Sequence, residues 1–283
     1  MFRLIKDKIL LIIMLFTTSL VWIPLIMLVM GSFMGKTEIN ENVGTIFNEG
    51  KTFVKCTILP KYPTLKPYVE LLLDTPKFFI MFWNSCKQVF PILLGQVVIG
   101  IPAAWSFAHF NFKYKKIIFI LYILLMILPF QVTMVSSYII LNKVNIMNTH
   151  WALIIPNIFS TLPVFIMAKF FKAIPLSIIE AAKIDGASEV QIFIKIALPL
   201  GKPGILSAMI LSFLEYWNNI EQPITFLRNE SLWPLSLYIS NIAVDNLAVS
   251  LGASVIILLP AILIFLAGQK YLEQGIAASG IND

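Results

Sequence analysis

Apolar residues are not spread evenly along this chain but gathered into six stretches: Ile9–Gly31, Val89–Phe110, Ile117–Leu141, Trp151–Ala168, Gly204–Leu227 and Leu247–Gly268. A helix rises about 1.5 Å per residue, so crossing a hydrocarbon core of about 30 Å takes roughly 20 such residues. The stretches meet or approach that length. The second is interrupted only by Gln96 and His109, and the fifth contains Glu215 and Glu221. A membrane barrel would show short alternating strands instead. The pattern therefore predicts an all-α polytopic membrane protein with six transmembrane helices. Arg3, Lys6 and Lys8 precede the first stretch as in a secretory signal, but its apolar run is too long and Met30-Gly31-Ser32-Phe33 offers no small-x-small cleavage site. It reads as a retained helix.

Composition agrees with lipid as the main solvent. Hydrophobic residues make up 58% and charged residues 13%, about half the charge that a soluble surface carries. The formal net charge of +6 could indicate nucleic acid, so its distribution decides. With the N-terminus inside, the cytoplasmic segments hold Arg3, Lys6 and Lys8, then Lys113, Lys115 and Lys116, then Lys169, Lys172, Lys183, Lys195 and Lys202, and finally Lys270; the long external segment 32–88 holds seven more, but loops of that length are largely exempt from the positive-inside rule. The short external loops hold only Lys143 and Arg228. That asymmetry predicts cytoplasmic N- and C-termini and makes the charge topological, leaving no nucleic-acid role. Residues 1–31 then form the N-terminus and first helix, 32–88 an irregular extracytoplasmic loop punctuated by Pro60, Pro63, Pro67 and Pro76, and 89–283 a core with a long cytoplasmic loop over 169–203. Cys56 and Cys86 form no metal-ligand pattern; they read as unrelated thiols, able to pair only if both lie outside the cell.

The 169–203 loop is too long for a simple turn. Ser177-Ile178-Ile179-Glu180 reads as a capping box, so a helix is expected from Ile178, ending at Asp185-Gly186. Ser188-Glu189-Val190-Gln191 reads as a second box, opening a helix that runs to Leu198-Pro199. Beyond these capping signals, Glu180-Ala181-Ala182, three residues, Gly186, nine residues and Ile196-x-Leu198-Pro199 resemble the signature loop of the integral-membrane subunits of ABC importers. Ile184-Asp185-Gly186-Ala187-Ser188 is similar to the carbohydrate-uptake branch, in subunits like the smaller maltose-transporter permease. Trp83-Asn84-Ser85, Ala103 to Phe112, Asn148 to Leu153, Pro199-Leu200-x-Lys202-Pro203, Gln269-Lys270-Tyr271 and Gly275 to Gly280 also look like family positions, so the resemblance covers roughly Tyr68 to the end.

The resemblance implies a permease subunit of a carbohydrate importer in a bacterial cell membrane. It would be joined to a second, homologous permease in a heterodimer, to a cytoplasmic ABC ATPase dimer and to an extracytoplasmic solute-binding protein. The loop helix would be the coupling helix, with Ser177, Glu180, Ala181, Ala182, Asp185 and Gly186 at the ATPase groove. No cofactor is expected on this chain, ATP and magnesium belonging to the ATPase. The nearest phosphate-loop spacing, Gly95 and Gly100, lies in a membrane helix and is followed by Ile101, and neither H-E-x-x-H nor G-x-S-x-G occurs, so catalysis by the chain itself is not expected.

In the fifth stretch, Glu215, Asn218, Asn219 and Gln222 follow i, i+3, i+4, i+7 spacing and would share one helical face. With Trp217 or Tyr216 as stacking rings, they form a candidate solute path, or else a face packed on the partner permease. His109 and His150 read as interfacial side chains, and Pro129, Gln131, Pro156 and Pro163 as marks of kinks or gating bends rather than ligands. Glu215 and Glu221 leave one competing function, an ion-coupled secondary transporter of a small polar solute.

Overall fold

The structure is a computed structural model that describes the backbone over residues 2–42, 57–238 and 246–280 and the side chains over 8–42, 57–238 and 246–273. It is all helical among those residues. The order is α1 (Phe2–Gly31), α2 (Lys36–Asn42), α3 (Lys66–Leu73), α4 (Pro76–His109), α5 (Lys115–Ile127), α6 (Phe130–Lys143), α7 (Trp151–Ile158), α8 (Thr161–Lys172), α9 (Leu176–Ile184), α10 (Glu189–Trp217), α11 (Glu221–Phe226) and α12 (Leu247–Gly280). Five helical segments are long and apolar enough to cross a membrane: Lys8–Gly31, Pro76–His109, Trp151–Lys172, Glu189–Trp217 and Leu247–Glu273. The pair α5 and α6 makes a sixth span if taken together, bent by 103°.

Several boundaries depart from the pattern. The third stretch is not one helix: Leu128 and Pro129 are extended, and Pro129 has no N–H to continue the ladder. The second span starts at Pro76, not Val89, because Asn84, Ser85 and Gln88 face protein rather than water. The segment assigned to an irregular loop accordingly contains α2, α3 and the start of α4. The helix opening at Glu189 does not stop at Leu198-Pro199. It passes through a π turn at Phe193–Ala197 and continues to Trp217, so the fifth span is displaced toward the N-terminus of its predicted range. The sixth helix likewise continues beyond Gly268. Cys56 lies outside the described residues, and Cys86 is a free, half-buried thiol.

The chain divides into two compact units. One comprises residues 1–79 with 238–259. In it residues 8–27 of α1 are exposed, as suits a helix bathed in lipid. At its end the Ser32 hydroxyl meets the Tyr68 hydroxyl at 2.6 Å, and the Thr64 N–H donates to the Phe33 carbonyl at 2.8 Å. The buried Glu38 carboxylate accepts the backbone N–H groups of Lys61 and Tyr62 at 2.6 and 3.4 Å, which compensates its desolvation.

The other unit comprises residues 80–237 with 260–283. Its centre is α8, against which both the 101–109 half of α4 and α10 pack. Small residues allow the approach: a Cβ on Gly201 or Gly204 of α10 would run into the Phe171 or Phe170 ring of α8, and one on Gly95 of α4 would meet Ile158. Farther along, the Ser207 hydroxyl donates to the Tyr271 carbonyl at 2.6 Å, tying α10 to α12.

Candidate functional site

The first site is the turn between α9 and α10. Pro175, extended at φ −59° and ψ 130°, is the N-cap of α9, so the helix begins at Leu176. Ser177 therefore sits in the first turn and makes no capping bond, which corrects the first capping box. Proline displaces it because its fixed φ already suits a helix entry. The second box is present: the Ser188 hydroxyl accepts the Gln191 N–H at 3.3 Å and the Gln191 side chain accepts the Ser188 N–H at 2.9 Å. Between them the chain turns at Gly186, whose φ of +81° is left-handed. The Ala187 N–H donates to the Ala182 carbonyl at 2.9 Å and the Gly186 N–H to the Lys183 carbonyl at 3.1 Å, the paired bonds of a Schellman stop. Lys183 and Glu189 form an ion pair of 2.6 Å across the turn.

The helix has two unlike faces. Ile179 is buried and Ala182 half-buried in a core built from Trp105 of α4, Met167 and Phe171 of α8, and Ile192 of α10. His109 reinforces this junction, its Nε2 lying 2.8 Å from the Phe171 carbonyl and its ring 4.0 Å from that of Trp105. Ser177, Glu180, Ala181, Asp185 and Gly186 face outward, together with Ile184, which is 86% exposed. Ala182 thus packs inward, unlike the other five residues of the candidate coupling set.

The second site lies among α4, α7, α10 and α11. α10 ends at Trp217, Asn218 caps it, and α11 starts at Glu221, so Glu215, Asn218, Asn219 and Gln222 do not share one helical face. Pro223 breaks the helix here, because it has no N–H to donate to the Asn219 carbonyl and its ring would clash with that oxygen in a continuous helix. Asn218 Nδ2 donates to the Leu214 carbonyl at 2.9 Å, and the Gln222 N–H donates to Asn219 Oδ1 at 3.2 Å, replacing ladder bonds by side-chain bonds. Gln222 and Asn219 line a pocket with Gln88, Asn157 and Tyr216. Asn157 Nδ2 donates to Gln222 Oε1 at 2.6 Å, and Gln222 Nε2 returns a bond to Asn157 Oδ1 at 3.5 Å. Glu215 and Asn218 point away from the pocket and are exposed. Trp217 is buried, stacked on Phe213 at 5.3 Å and edge-on to Phe82, and offers no free ring to a solute.

Three polar groups at this end escape the sequence pattern: Asn84, Gln88 and Gln96 on the buried face of α4. Asn84 Nδ2 donates to the carbonyls of Ser231 and Trp233 at 2.7 and 3.1 Å, and Gln88 Nε2 to that of Leu232 at 3.0 Å. Gln96, 1% exposed and in a π turn, donates from Nε2 to the Asn157 carbonyl at 2.8 Å and the Tyr216 hydroxyl at 3.3 Å. Their four- and eight-residue spacing, continuous with Met81 and Ile92, is the signal that marks one face.

Residues 96–278 match the family described as the binding-protein-dependent transport system inner membrane component. The chain belongs to this family. It is thus a multi-pass inner-membrane permease subunit of an ABC importer, a non-catalytic member of an assembly with a binding protein and an ATPase that binds the ATP. The permease is 26% identical to the arabinooligosaccharides transport system permease protein AraQ of Halalkalibacterium halodurans over 92% of this chain and 90% of that one. It is 29% identical to the galactooligosaccharides transport system permease protein GanQ of Bacillus subtilis, over 84% and 87%. Its fold is similar to that of a chain in a bacterial ABC transporter involved in the import of the acidic polysaccharide alginate, with a TM-score of 0.78, 18% identity and coverage of 94% and 96%.

Proposed function

We propose that this permease imports a carbohydrate, handed over by an extracytoplasmic binding protein, and that α9 with its Gly186 turn is the lever by which a cytoplasmic ATPase drives it. The observation that carries the coupling assignment is the division of α9. Its inner face, Ile179 and Ala182, belongs to the same core as α4, α8 and α10, whereas Ser177, Glu180, Ala181, Ile184 and Asp185 are exposed. A helix anchored in this way transmits a push to the spans without melting, and its outer face is open to a partner groove. Carbohydrate is supported by relatives whose names specify oligosaccharides. With the basic loops inside, α9 and both termini are cytoplasmic.

Glu215 and Asn218, three residues apart, are exposed on the spanning surface of this chain. A carboxylate facing lipid is costly, so in the assembly that surface is covered by protein or lines an aqueous path. A second permease subunit fits this requirement. Charge reversal at Glu180 combined with Ile184→Asp tests the coupling assignment. The variant is expected to insert normally but to lose the ATPase on purification and to lose uptake. Retention of both at wild-type levels refutes the docking surface.

A further inference from the structure

The permease has a polar pocket in its membrane domain whose chemistry bears on which carbohydrates pass. Its polar lining is made of amides and a phenol, Gln88 from α4, Asn157 from α7, Tyr216 from α10, and Asn219 and Gln222 from the break after it, and apolar side chains complete the wall. Among the described residues no Lys or Arg lines it. The cations nearest to these residues in sequence, Lys87 and Arg228, are exposed, and Arg228 is engaged with the Tyr138 hydroxyl. Behind the pocket, Gln96 leaves a lone acceptor: its Oε1 is buried with no partner among the described residues while its Nε2 serves both Asn157 and Tyr216. A buried, unsatisfied amide oxygen costs free energy unless a donor reaches it.

Resting on the carbohydrate-importer reading, we propose that this pocket binds a hydroxyl-bearing, uncharged part of the solute in transit, and that it makes this subunit selective for neutral over anionic carbohydrates. Amides suit such a ligand because each offers both donor and acceptor, as a sugar hydroxyl does. An anionic solute would meet acceptor oxygens with no cation to compensate its desolvation. In the present conformation Asn157 and Gln222 satisfy each other, and the crevice has room for about one water. The site is therefore closed. It opens when α11 draws away from α7 about the non-helical residues 218–220, freeing both amides and exposing the Gln96 oxygen to a hydroxyl donor. Irregular backbone at membrane depth is tolerated where it lines such a cavity.

The test uses the whole complex, with partner permease, ATPase and binding protein, in proteoliposomes. A thermal-shift screen of the binding protein against neutral arabino- and galactooligosaccharides and against uronate oligosaccharides first identifies the probe. Asn157→Leu and Gln222→Leu are then expected to lower the sugar moved per ATP hydrolysed by about tenfold, the loss of one or two hydrogen bonds made only to the passing solute. Asn157→Gln and Gln222→Asn, which keep an amide, should recover part of that ratio. If transport and hydrolysis fall together so that the ratio is unchanged, the amides are structural and the proposal fails. A binding protein that accepts only uronates overturns the neutral selectivity while leaving the importer of carbohydrates standing. One that binds no carbohydrate removes both.

Discussion

Gly186 gives the sharpest test of the coupling turn, because the structure separates the two reasons for having a glycine there. Its φ is +81°, yet a Cβ built on it meets nothing within 4 Å. Within this chain the constraint is thus backbone conformation and not space. An L-residue in the left-handed region costs about 1–2 kcal/mol, equivalent to roughly 5- to 30-fold in a two-state ratio. The turn is closed chiefly by the Gly186 and Ala187 N–H bonds to Lys183 and Ala182, with the exposed Lys183–Glu189 pair across it. In the free subunit the strain can relax by opening those bonds, whereas a docked turn has to keep them, so the strain opposes docking. Gly186→Ala is accordingly expected to weaken ATPase retention and ATP-driven uptake by about 5- to 30-fold at limiting ATPase, with excess ATPase restoring both. Gly186→Asn, a larger residue that tolerates the left-handed region, should lie between Ala and wild type. Wild-type coupling in the Ala variant, or an Asn variant worse than Ala, refutes the conformational account; the second result would mean that close approach by the partner is what requires glycine.

Two further outcomes follow from packing and protonation. Gly204→Ala puts a methyl group into the Phe170 ring, and overpacking of this kind costs about 1–3 kcal/mol, so the detergent-solubilised subunit should melt at a lower temperature; an unchanged melting point would mean that α8 and α10 separate more easily than their contacts imply. His150 Nδ1 lies 3.0 Å from Gln88 Nε2, an amide nitrogen that can only donate, so the ring is neutral here. Burial, then the Lys87 charge, push its pKa below the ordinary 6.5. The unfolded chain therefore binds the proton more readily, and the stability from this pair is present above about pH 6.5 and lost as pH falls through it toward the folded pKa. Melting of wild type should fall more steeply on acidification than that of His150→Gln, which keeps an acceptor but cannot be protonated; parallel curves would count against it.

The spans were legible because lipid imposes a simple rule on composition and length. Their ends were less so, and for a common reason: polar residues that looked like loop are satisfied inside the protein. Asn84, Ser85 and Gln88 made residues 76–88 read as extracytoplasmic, yet they bond to main-chain groups between Ser231 and Leu235 and are 4% exposed or less. Conversely, the break at 218–220 has its local signal four residues on, in Pro223, which frees the Asn219 carbonyl that the Ser236 hydroxyl then satisfies at 2.6 Å. The helical spacing of Glu215, Asn218, Asn219 and Gln222 masked it. Pro129 did announce a bend, but the 103° angle between α5 and α6 depends on what each packs against. In the coupling loop the glycine stop and the second capping box were fully local and were readable, whereas the start of α9 was decided between two residues that both suit a helix entry, Pro175 and Ser177.

The continuity of α10 connects the two sites. It runs from the proposed coupling turn at Glu189 past the pocket residue Tyr216 to Trp217 without a break, through one π turn. At about 1.5 Å per residue it is roughly 43 Å long, and Gly201 and Gly204 hold it tightly against α8. A displacement applied beside Ser188 is therefore not absorbed along the helix; it emerges at the first joint, the non-helical residues 218–220 that border the amides. Spin labels report this directly. Val190 and Leu211 are both exposed on α10, about 30 Å apart along its axis, and their separation should stay within about 2 Å between the resting and ATP-bound complexes, since a packed helix is effectively rigid on that scale. Leu211 and Ile224, exposed on either side of the break, should change separation by more than that. A change between 190 and 211 would shift the joint to the π turn, and constancy of both distances would mean that the pocket opens by another route than the coupling helix.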